Sequence, residues 1–306
     1  MPALYPKSLL PRVRLPPQLI LCLYAVPAVR DPIVLSPKRI NFGDKTYGIM
    51  RIALFQRDIE LLARERNLRR AEDAFERLFS AQSEGGNVGR ADLVVLPEMF
   101  ATGFLPAADD IAESDGVTAE WMRRMAVRYD VAVAGSVAVA EAGRRYNRLL
   151  FVRPDGSAVC YDKRHLFPLG GEDRLFAAGC ERVVVEWRGV RILLQICYDL
   201  RFPVFSRCRG DYDMIIFVAS WPASRIAAWD VLLRARAIEN QCYVAGVNRT
   251  GADASGVYSG GTALIDPQGR TVAACADGAE GVITAEIDIE SLRRFRREFP
   301  ALDGRD

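Results

Sequence analysis

Four segments of the sequence place reactive side chains directly after apolar runs. DLVVLP is followed by Glu98, AVCYD by Lys163, RILLQI by Cys197 and MIIFVAS by Trp221. Such runs are typical of strands buried on both faces, and sites in α/β folds gather beyond the carboxyl ends of strands. A thiol, a carboxylate and an ammonium brought together in this way form the kind of set that nucleophilic catalysis requires. We therefore expect these side chains to converge in the folded chain.

Each of these residues also has an ordinary structural interpretation. Cysteine is usually inert packing, and Glu98 could be a charge on a surface loop. Lys163 stands beside Arg164, a pair that is most often part of a solvated face. The position of Cys197, at a strand end before the polar turn YDLR, is the arrangement that exposes a nucleophile at a strand-turn-helix elbow. The set indicates a site more strongly than any single member does.

The surrounding pattern predicts strands alternating with helices. Residues 57–82 are predicted to form an amphipathic helix, because their apolar side chains recur at helical spacing on one face. Turn residues within RLLFVRPDGSAVCYDK, RVVVEWRGVRILLQIC and TALIDPQGRTVAACA predict three hairpins. The remaining strands and helices are predicted at MRIALFQ, TAEWMRRMAVRY, VAVAGSVAV, AAWDVLLRARAIENQ, CYVAGVN, GVITAEI and SLRRFRREF. Strands that are apolar throughout imply an α/β fold whose sheets are covered by helices.

Composition excludes several functional classes. The chain has 306 residues, half of them apolar, and a net charge of +2, with no basic run interleaved with aromatic residues. We therefore expect no nucleic-acid partner. Seven scattered cysteines without a Cys-x-x-Cys pair argue against a disulfide framework and a structural zinc site, and they suit a reducing, cytoplasmic location. His165 is the single histidine, which excludes every metal site that needs two.

The first 49 residues differ from the rest of the chain. They carry seven Lys and Arg against two Asp and Glu, and they are rich in proline. The apolar run LILCLYAVPAV has 11 residues, too few to span a bilayer, although its length would suit the core of a signal peptide. We predict that residues 1–49 are a non-essential or mis-started extension and that residues 50–306 form a single domain without a membrane partner. A targeting segment or an ordered arm remains an alternative for the extension.

Three motifs carry a family resemblance. The stretches LVVLPEMFATGF, YDKRHLF and ILLQICYDLRFP surround Glu98, Lys163 and Cys197 in that order. The sequence resembles the carbon-nitrogen hydrolase (nitrilase) superfamily over about residues 50–303. This resemblance implies a four-layer αββα sandwich, a Glu-Lys-Cys catalytic set and a homodimer or larger assembly. PEMFATGF, CYDLRFP and the final REFP are most similar to the bacterial omega-amidase branch, which hydrolyses the side-chain amide of 2-oxoglutaramate.

The chemistry of amide hydrolysis assigns a role to each member of the set. Cys197 would attack the amide carbon as a thiolate whose pKa is lowered by the Lys163 ammonium. Glu98 would take the thiol proton, pass it to the departing ammonia and then activate the water that hydrolyses the thioester. Lys163 and the backbone N–H of Tyr198 are the expected oxyanion donors. Glu172 matches a further active-site glutamate of the family that orients the substrate and the lysine, although a loop charge is its alternative.

Substrate-binding residues are less clearly marked. Phe104, Phe167 and Trp221 follow the catalytic strands and could form an apolar wall, although such aromatics are often core residues. A keto-acid amide also needs a cation for its carboxylate, and Arg164 and Arg201 are both candidates, with a structural ion pair as the alternative for Arg201. The sequence does not choose between them.

Three other interpretations remain open. A hydrolase that uses Cys197 and His165 would leave Glu98 and Lys163 without roles. A non-catalytic binding or interaction protein of the same fold would have no use for the complete set. Another amide, an N-carbamoyl compound or a nitrile could be the substrate within the same superfamily. No phosphate-binding loop, dinucleotide fingerprint or metal-ligand cluster occurs in the sequence, so we expect no cofactor and no metal.

Overall fold

The computed structural model describes residues 48–83 and 90–304. Almost all of the predicted extension at residues 1–49 lies outside the described residues. Within them the helices are α1 (Arg64–Ser83), α2 (Val117–Tyr129), α3 (Glu172–Leu175), α4 (Pro203–Ser206), α5 (Ile226–Asn240) and α6 (Ile289–Glu298). Short 3-10 turns cover Pro168–Gly170, Cys197–Arg201, Ala223–Arg225 and Ala301–Gly304.

Fourteen strands occur in the described ranges. The first seven are β1 (Ile49–Gln56), β2 (Leu93–Val95), β3 (Ala132–Glu141), β4 (Arg144–Val152), β5 (Ala158–Asp162), β6 (Val184–Trp187) and β7 (Val190–Ile196). The others are β8 (Met214–Ala219), β9 (Tyr243–Asn248), β10 (Thr250–Asp253), β11 (Gly256–Ser259), β12 (Ala263–Ile265), β13 (Thr271–Ala274) and β14 (Gly281–Asp288).

Twelve of these strands form two mixed sheets of six. The first sheet has the order β14-β1-β2-β3-β4-β5, and the second has the order β13-β12-β9-β8-β7-β6. The central strands run parallel, β1 to β2 to β3 in one sheet and β7 to β8 to β9 in the other. Because parallel strands end at the same edge, the segments that follow β2, β7 and β8 are placed where a site can form.

The two sheets pack face to face, with helices on their outer faces. Along β8, Ile216 belongs to the apolar layer between the sheets, while Phe217 packs in the layer that contains α5. On β1, Leu54 faces the inter-sheet layer and Phe55 faces the layer of α1 and α2. Both faces of these strands are therefore buried, which explains why their sequences are apolar throughout. The result is the four-layer αββα sandwich that the sequence predicted.

The predicted hairpins occur as antiparallel pairs, β4 with β5, β6 with β7 and β12 with β13. The predicted helix at residues 57–82 was wrong at its start, because α1 begins only at Arg64. Asp58 instead bridges to Thr250, and Leu62 has a φ of 57°, in the left-handed region. The segment RDIELLA, which mixes charged and apolar residues, thus precedes the helix in a non-helical conformation.

The hairpin of β10 and β11 was not predicted. It pairs with neither large sheet and is anchored by Arg249, whose side chain is fully buried. The Arg249 guanidinium donates to the Ile59 carbonyl oxygen at 2.7 Å and pairs with Asp58 and Asp253. This anchor fixes the hairpin beside the ends of the central strands.

No helix in residues 48–83 and 90–304 combines the length and apolar character needed to cross a bilayer.

Candidate active site

The ends of strands from both sheets bring the predicted residues together. Lys163 follows β5 directly, Cys197 follows β7 directly, and Glu98 lies three residues after β2. All three line one pocket, which Trp221, two residues after β8, also lines. Because β2 and β5 belong to one sheet and β7 and β8 to the other, the stacking of the two sheets assembles the site.

Lys163 lies between two buried carboxylates. Its ammonium nitrogen is 2.9 Å from Oε1 of Glu98 and 2.8 Å from Oε2 of Glu172. Burial alone would lower the pKa of Lys163, but the opposing charges of Glu172 and Glu98 raise it above its usual value. Lys163 is therefore a fixed cation. Its ammonium also lies 5.4 Å from the centroid of the Phe104 ring.

Glu172 is built into this centre rather than left on a loop. It begins the short helix α3, and Gly171 before it has a φ of 72°, a conformation suited to glycine. Its Oε2 also accepts the backbone N–H of Phe167 at 2.8 Å. Burial raises the pKa of Glu172, and Lys163 opposes that shift only in part. The loop-charge alternative is thus inconsistent with the geometry.

Three donors converge on Glu98. Besides Lys163, the Asn147 side-chain amide donates to Oε1 at 2.7 Å and the backbone N–H of Ser220 donates to Oε2 at 2.8 Å. The Ser220 hydroxyl donates to the Glu98 carbonyl oxygen at 3.3 Å. These bonds fix the orientation of the Glu98 carboxylate toward the pocket.

Cys197 stands at a sharp turn. Its φ of 46° places it in the left-handed region, and it starts the 3-10 turn Cys197–Arg201. Burial and the Glu98 charge raise the pKa of its thiol well above the usual value, although Lys163 opposes them. The expectation of a lowered pKa was wrong, because Lys163 is outweighed by burial and by the two carboxylates that face it. A raised pKa favours the thiol over the thiolate, so the site needs a base that can accept the Cys197 proton.

Asp199 holds the turn in place. Its fully buried carboxylate accepts the Ile196 N–H at 3.0 Å and the Tyr161 hydroxyl at 2.7 Å. It also accepts the backbone N–H of His165 at 2.9 Å and contacts Nδ1 of that residue at 2.8 Å. His165 does not line the pocket, which argues against a hydrolase that uses Cys197 and His165.

The pocket has a cavity volume of about 380 Å³. Phe104, Phe167, Tyr198 and Trp221 line it, so three predicted wall aromatics lie where expected. Its rim comes from connecting segments at residues 104–107 and 167–170 and from Ser255 and Tyr258 of the β10–β11 hairpin. The catalytic strands thus provide the floor, and loops and the β10–β11 hairpin provide the walls.

Arg164 was a wrong candidate for the substrate carboxylate. Its side chain is exposed, lies outside the pocket and donates to the Gly179 carbonyl oxygen at 3.1 Å. Arg201 lies in the pocket, with its guanidinium carbon 4.9 Å from the centroid of the Trp221 ring.

Sequence reasoning missed four residues of the site, which are Asn147, Ser220, Arg225 and Tyr258. Arg225 lines the pocket with its guanidinium carbon 5.2 Å from the centroid of the Phe167 ring. In the part of the chain that the structure describes, no carboxylate oxygen lies within 4.0 Å of the Arg201 or Arg225 guanidinium. The motif SWPASR, at the end of β8, was the signal that could have identified Arg225.

Residues 51–297 match the family described as carbon-nitrogen hydrolase. The chain belongs to the carbon-nitrogen hydrolase family. It is 43% identical over 258 residues to omega-amidase YafV from Yersinia enterocolitica, covering 84% of this chain and 97% of that relative. It is 36% identical over 260 residues to 2-oxoglutaramate amidase from Bacillus subtilis, covering 82% of this chain and 96% of that relative.

A solved structure has the same fold. It is a CN-hydrolase superfamily protein from Xanthomonas campestris with an arsenic adduct in its active site, and it is 43% identical to this chain. The TM-score is 0.78, and the match covers 84% of this chain and 98% of the other. The family resemblance and the sandwich fold predicted from the sequence are thereby confirmed, and the protein is a hydrolase of carbon-nitrogen bonds.

Proposed function

We propose that the protein is a thiol amidohydrolase that cleaves the side-chain amide of small 2-oxo acid amides, converting 2-oxoglutaramate to 2-oxoglutarate and ammonia. The observation that carries the proposal is a pocket with Glu98, Lys163 and Cys197 at its floor and, in its wall, two arginines that have no carboxylate partner among the described residues. The names of the relatives, omega-amidase and 2-oxoglutaramate amidase, support the same substrate.

The proposed reaction has two halves. Cys197 attacks the amide carbon while its proton passes to Glu98, which acts as the general base. Glu98 then returns this proton to the amide nitrogen, the carbon-nitrogen bond breaks, ammonia leaves and a thioester remains. In the second half, Glu98 takes a proton from water, the hydroxide attacks the thioester and the proton returns to the Cys197 sulfur.

Charge development on the carbonyl oxygen determines the roles of the nearby donors. The Lys163 ammonium and the backbone N–H of Tyr198, the residue after Cys197, are the proposed oxyanion donors. Lys163 suits this role because its raised pKa keeps it charged at neutral pH. Glu172 forms a second ion pair with Lys163, beside that with Glu98, and so fixes the ammonium position.

The two pocket arginines would recognise the other end of the substrate. A guanidinium recognises a carboxylate by charge-assisted and often bidentate hydrogen bonds. Arg201 and Arg225 pack on the Trp221 and Phe167 rings, which restrict their side chains without neutralising their charge. An amide with a carboxylate at its far end would provide the missing partner.

A substrate panel tests the proposal. Ammonia release would be measured with 2-oxoglutaramate, glutamine, N-carbamoyl amino acids and a simple nitrile, for the wild type and for Cys197→Ala. We expect preferred turnover of the keto-acid amide, lost in Cys197→Ala. Preference for an N-carbamoyl compound or a nitrile would refute the proposed substrate and keep the mechanism. Turnover that survives in Cys197→Ala would refute the thioester route. No turnover of any member, with a Cys197 that no electrophile modifies, would favour the non-catalytic alternative.

Three further features of the protein are proposed. A homodimer is expected from the family. Helix α5 carries the exposed apolar residues Val231 and Ile238, which could contribute to its interface. Sedimentation of the wild type and of a Val231→Glu variant would test this expectation. Scattered free cysteines suit a cytoplasmic location. Residues 50–306 are proposed to fold as one domain, which a chain that starts at Met50 would test.

A further inference from the structure

We propose that Asn147 is a positioning residue that keeps the two carboxylates of the site charged and correctly separated by donating one N–H to each. This inference deepens the proposed function, because it concerns the base of that same reaction. Asn147 touches neither Cys197 nor the substrate space of the pocket. It would act through Glu98 and Glu172.

The geometry of Asn147 is fixed by the sheet. Asn147 lies on β4 and is fully buried. Its backbone carbonyl oxygen accepts the backbone N–H of Lys163 at 2.9 Å. Its side-chain nitrogen is 2.7 Å from Oε1 of Glu98 and 2.9 Å from Oε1 of Glu172. The amide has two N–H groups, so each carboxylate receives one.

The orientation of the amide follows from charge. Among the described residues, the Asn147 Oδ1 atom has no hydrogen-bond partner. Turning the amide over would place this oxygen against two carboxylates and leave the N–H groups unpaired. The observed orientation therefore leaves the Oδ1 atom unsatisfied but forms two charge-assisted hydrogen bonds, which are stronger than neutral ones. A residue that served only to fill the core would not require this exchange.

The two carboxylates need a further hydrogen-bond donor that adds no positive charge. Two carboxylates share one ammonium, and a second cation would neutralise the pair and weaken the base, while a third acid would add repulsion. A neutral amide adds one donor to Oε1 of each carboxylate, beside the Lys163 ammonium, without either effect. The titratable groups that face this centre are Glu98 after β2, Lys163 after β5, Glu172 in α3, Cys197 after β7 and Tyr258 in β11.

Loss of the amide should change the pH dependence of turnover. In Asn147→Leu, which has a similar size and no donor, the carboxylate pair should retain a proton to higher pH. The acid limb of the kcat/KM profile should move up by about one pH unit, which is a tenfold loss at pH values below the limb. Activity should recover as the pH rises. Asn147→Ala provides a second variant if the leucine variant does not fold.

Asn240 provides a matched control. It is also a fully buried asparagine, but its side chain accepts the Cys208 N–H, donates to the Arg236 carbonyl oxygen at 2.9 Å and contacts Glu239 at 3.4 Å, with no bond to Glu98 or Glu172 among the described residues. Asn240→Leu should lower the melting temperature and leave the pH profile unchanged. Equal pH profiles for Asn147→Leu, Asn240→Leu and the wild type would overturn the inference and leave Asn147 as a packing residue.

Alkylation separates this inference from the proposed substrate. The rate of Cys197 modification by iodoacetamide would be measured against pH in the wild type and Asn147→Leu, with Cys197→Ala as the background. We expect the acid inflection of the rate to move up by about one pH unit in the variant. If that shift occurs although the wild type does not hydrolyse 2-oxoglutaramate, the substrate proposal fails and the role of Asn147 stands. If the wild type hydrolyses it and neither profile shifts, the role of Asn147 fails.

Discussion

Replacement of Arg225 by leucine would test how the pocket recognises a carboxylate. Arg225 suits this test better than Arg201, because Arg201 belongs to the same turn as Cys197 and its replacement could disturb the nucleophile. The backbone carbonyl of Arg225, which accepts the Trp221 indole N–H at 2.8 Å, is unaffected by the substitution. A leucine would retain apolar contact with the Phe167 ring and remove only the charge.

The structure allows the size of the effect to be estimated. The Arg225 guanidinium has no carboxylate oxygen within 4.0 Å among the described residues, so its charge is available to the substrate. A hydrogen bond to a charged group contributes ~1.5–3 kcal/mol, which corresponds to a loss of roughly 10- to 150-fold in kcat/KM. Bidentate contact would place the loss toward the upper end of this range.

The assay compares two amides of the same length. 2-Oxoglutaramate carries the carboxylate, and 4-oxopentanamide replaces it with a methyl group while keeping the keto group and the amide. In Arg225→Leu, kcat/KM for 2-oxoglutaramate should fall by the full factor given above, and kcat/KM for 4-oxopentanamide should change little. The exposed Arg164, replaced by leucine, is the matched control and should stay within about twofold of the wild type on both. An equal loss on both amides would show that Arg225 acts through packing, and no loss on either would refute the recognition role.

Two further predictions concern residues outside the pocket. His165→Asn should keep turnover within about threefold of the wild type, because an asparagine amide can still donate to Asp199, and a complete loss in the ammonia assay would revive a thiol-imidazole mechanism. Burial alone would raise the pKa of Asp213, but its hydrogen bonds to Arg191 and the nearby Arg296 hold that pKa below its usual value. Its folded-state stabilisation is therefore complete above the unfolded pKa of ~3.9 and is lost as the pH falls through the folded value. Asp213→Asn should lower the free energy of unfolding by ~2 kcal/mol in urea at neutral pH, with the difference shrinking below about pH 4, and a constant difference across pH would contradict this assignment.

The predictable parts of the molecule were those encoded in contiguous segments. Glu98, Lys163 and Cys197 each follow an apolar run, so their placement at strand ends could be predicted from local sequence alone. Strands that are apolar on both faces predicted sheets covered by helices, whereas the αββα sandwich was implied by the resemblance to the carbon-nitrogen hydrolase superfamily. The three hairpins were predictable because their turns contain Pro, Asp or Gly at suitable positions.

The missed features depend on contacts between distant segments. Asn147 is one of several polar residues in the strand RRYNRLLFV. Only the pairing of β4 with its neighbours places it between two carboxylates. The raised pKa of Cys197 could not be predicted, because it depends on burial and on Glu98, 99 positions earlier in the chain. The β10–β11 hairpin is rich in polar residues and glycine, so its sequence has no strand-like apolar pattern.

The division between a strand-built floor and a loop-built wall has an evolutionary and practical consequence. Reactivity depends on groups fixed by both six-stranded sheets, where a substitution is felt throughout the core. Selectivity depends on the rim, where Leu169 is 86% exposed and Ser255 lies in the turn of a separate hairpin. Libraries that vary Leu105, Leu169 and Ser255 should therefore change which amides are accepted while the stability of the chain and its bond-breaking chemistry are retained. The same separation gives a duplicated gene a short mutational route from one amide to another.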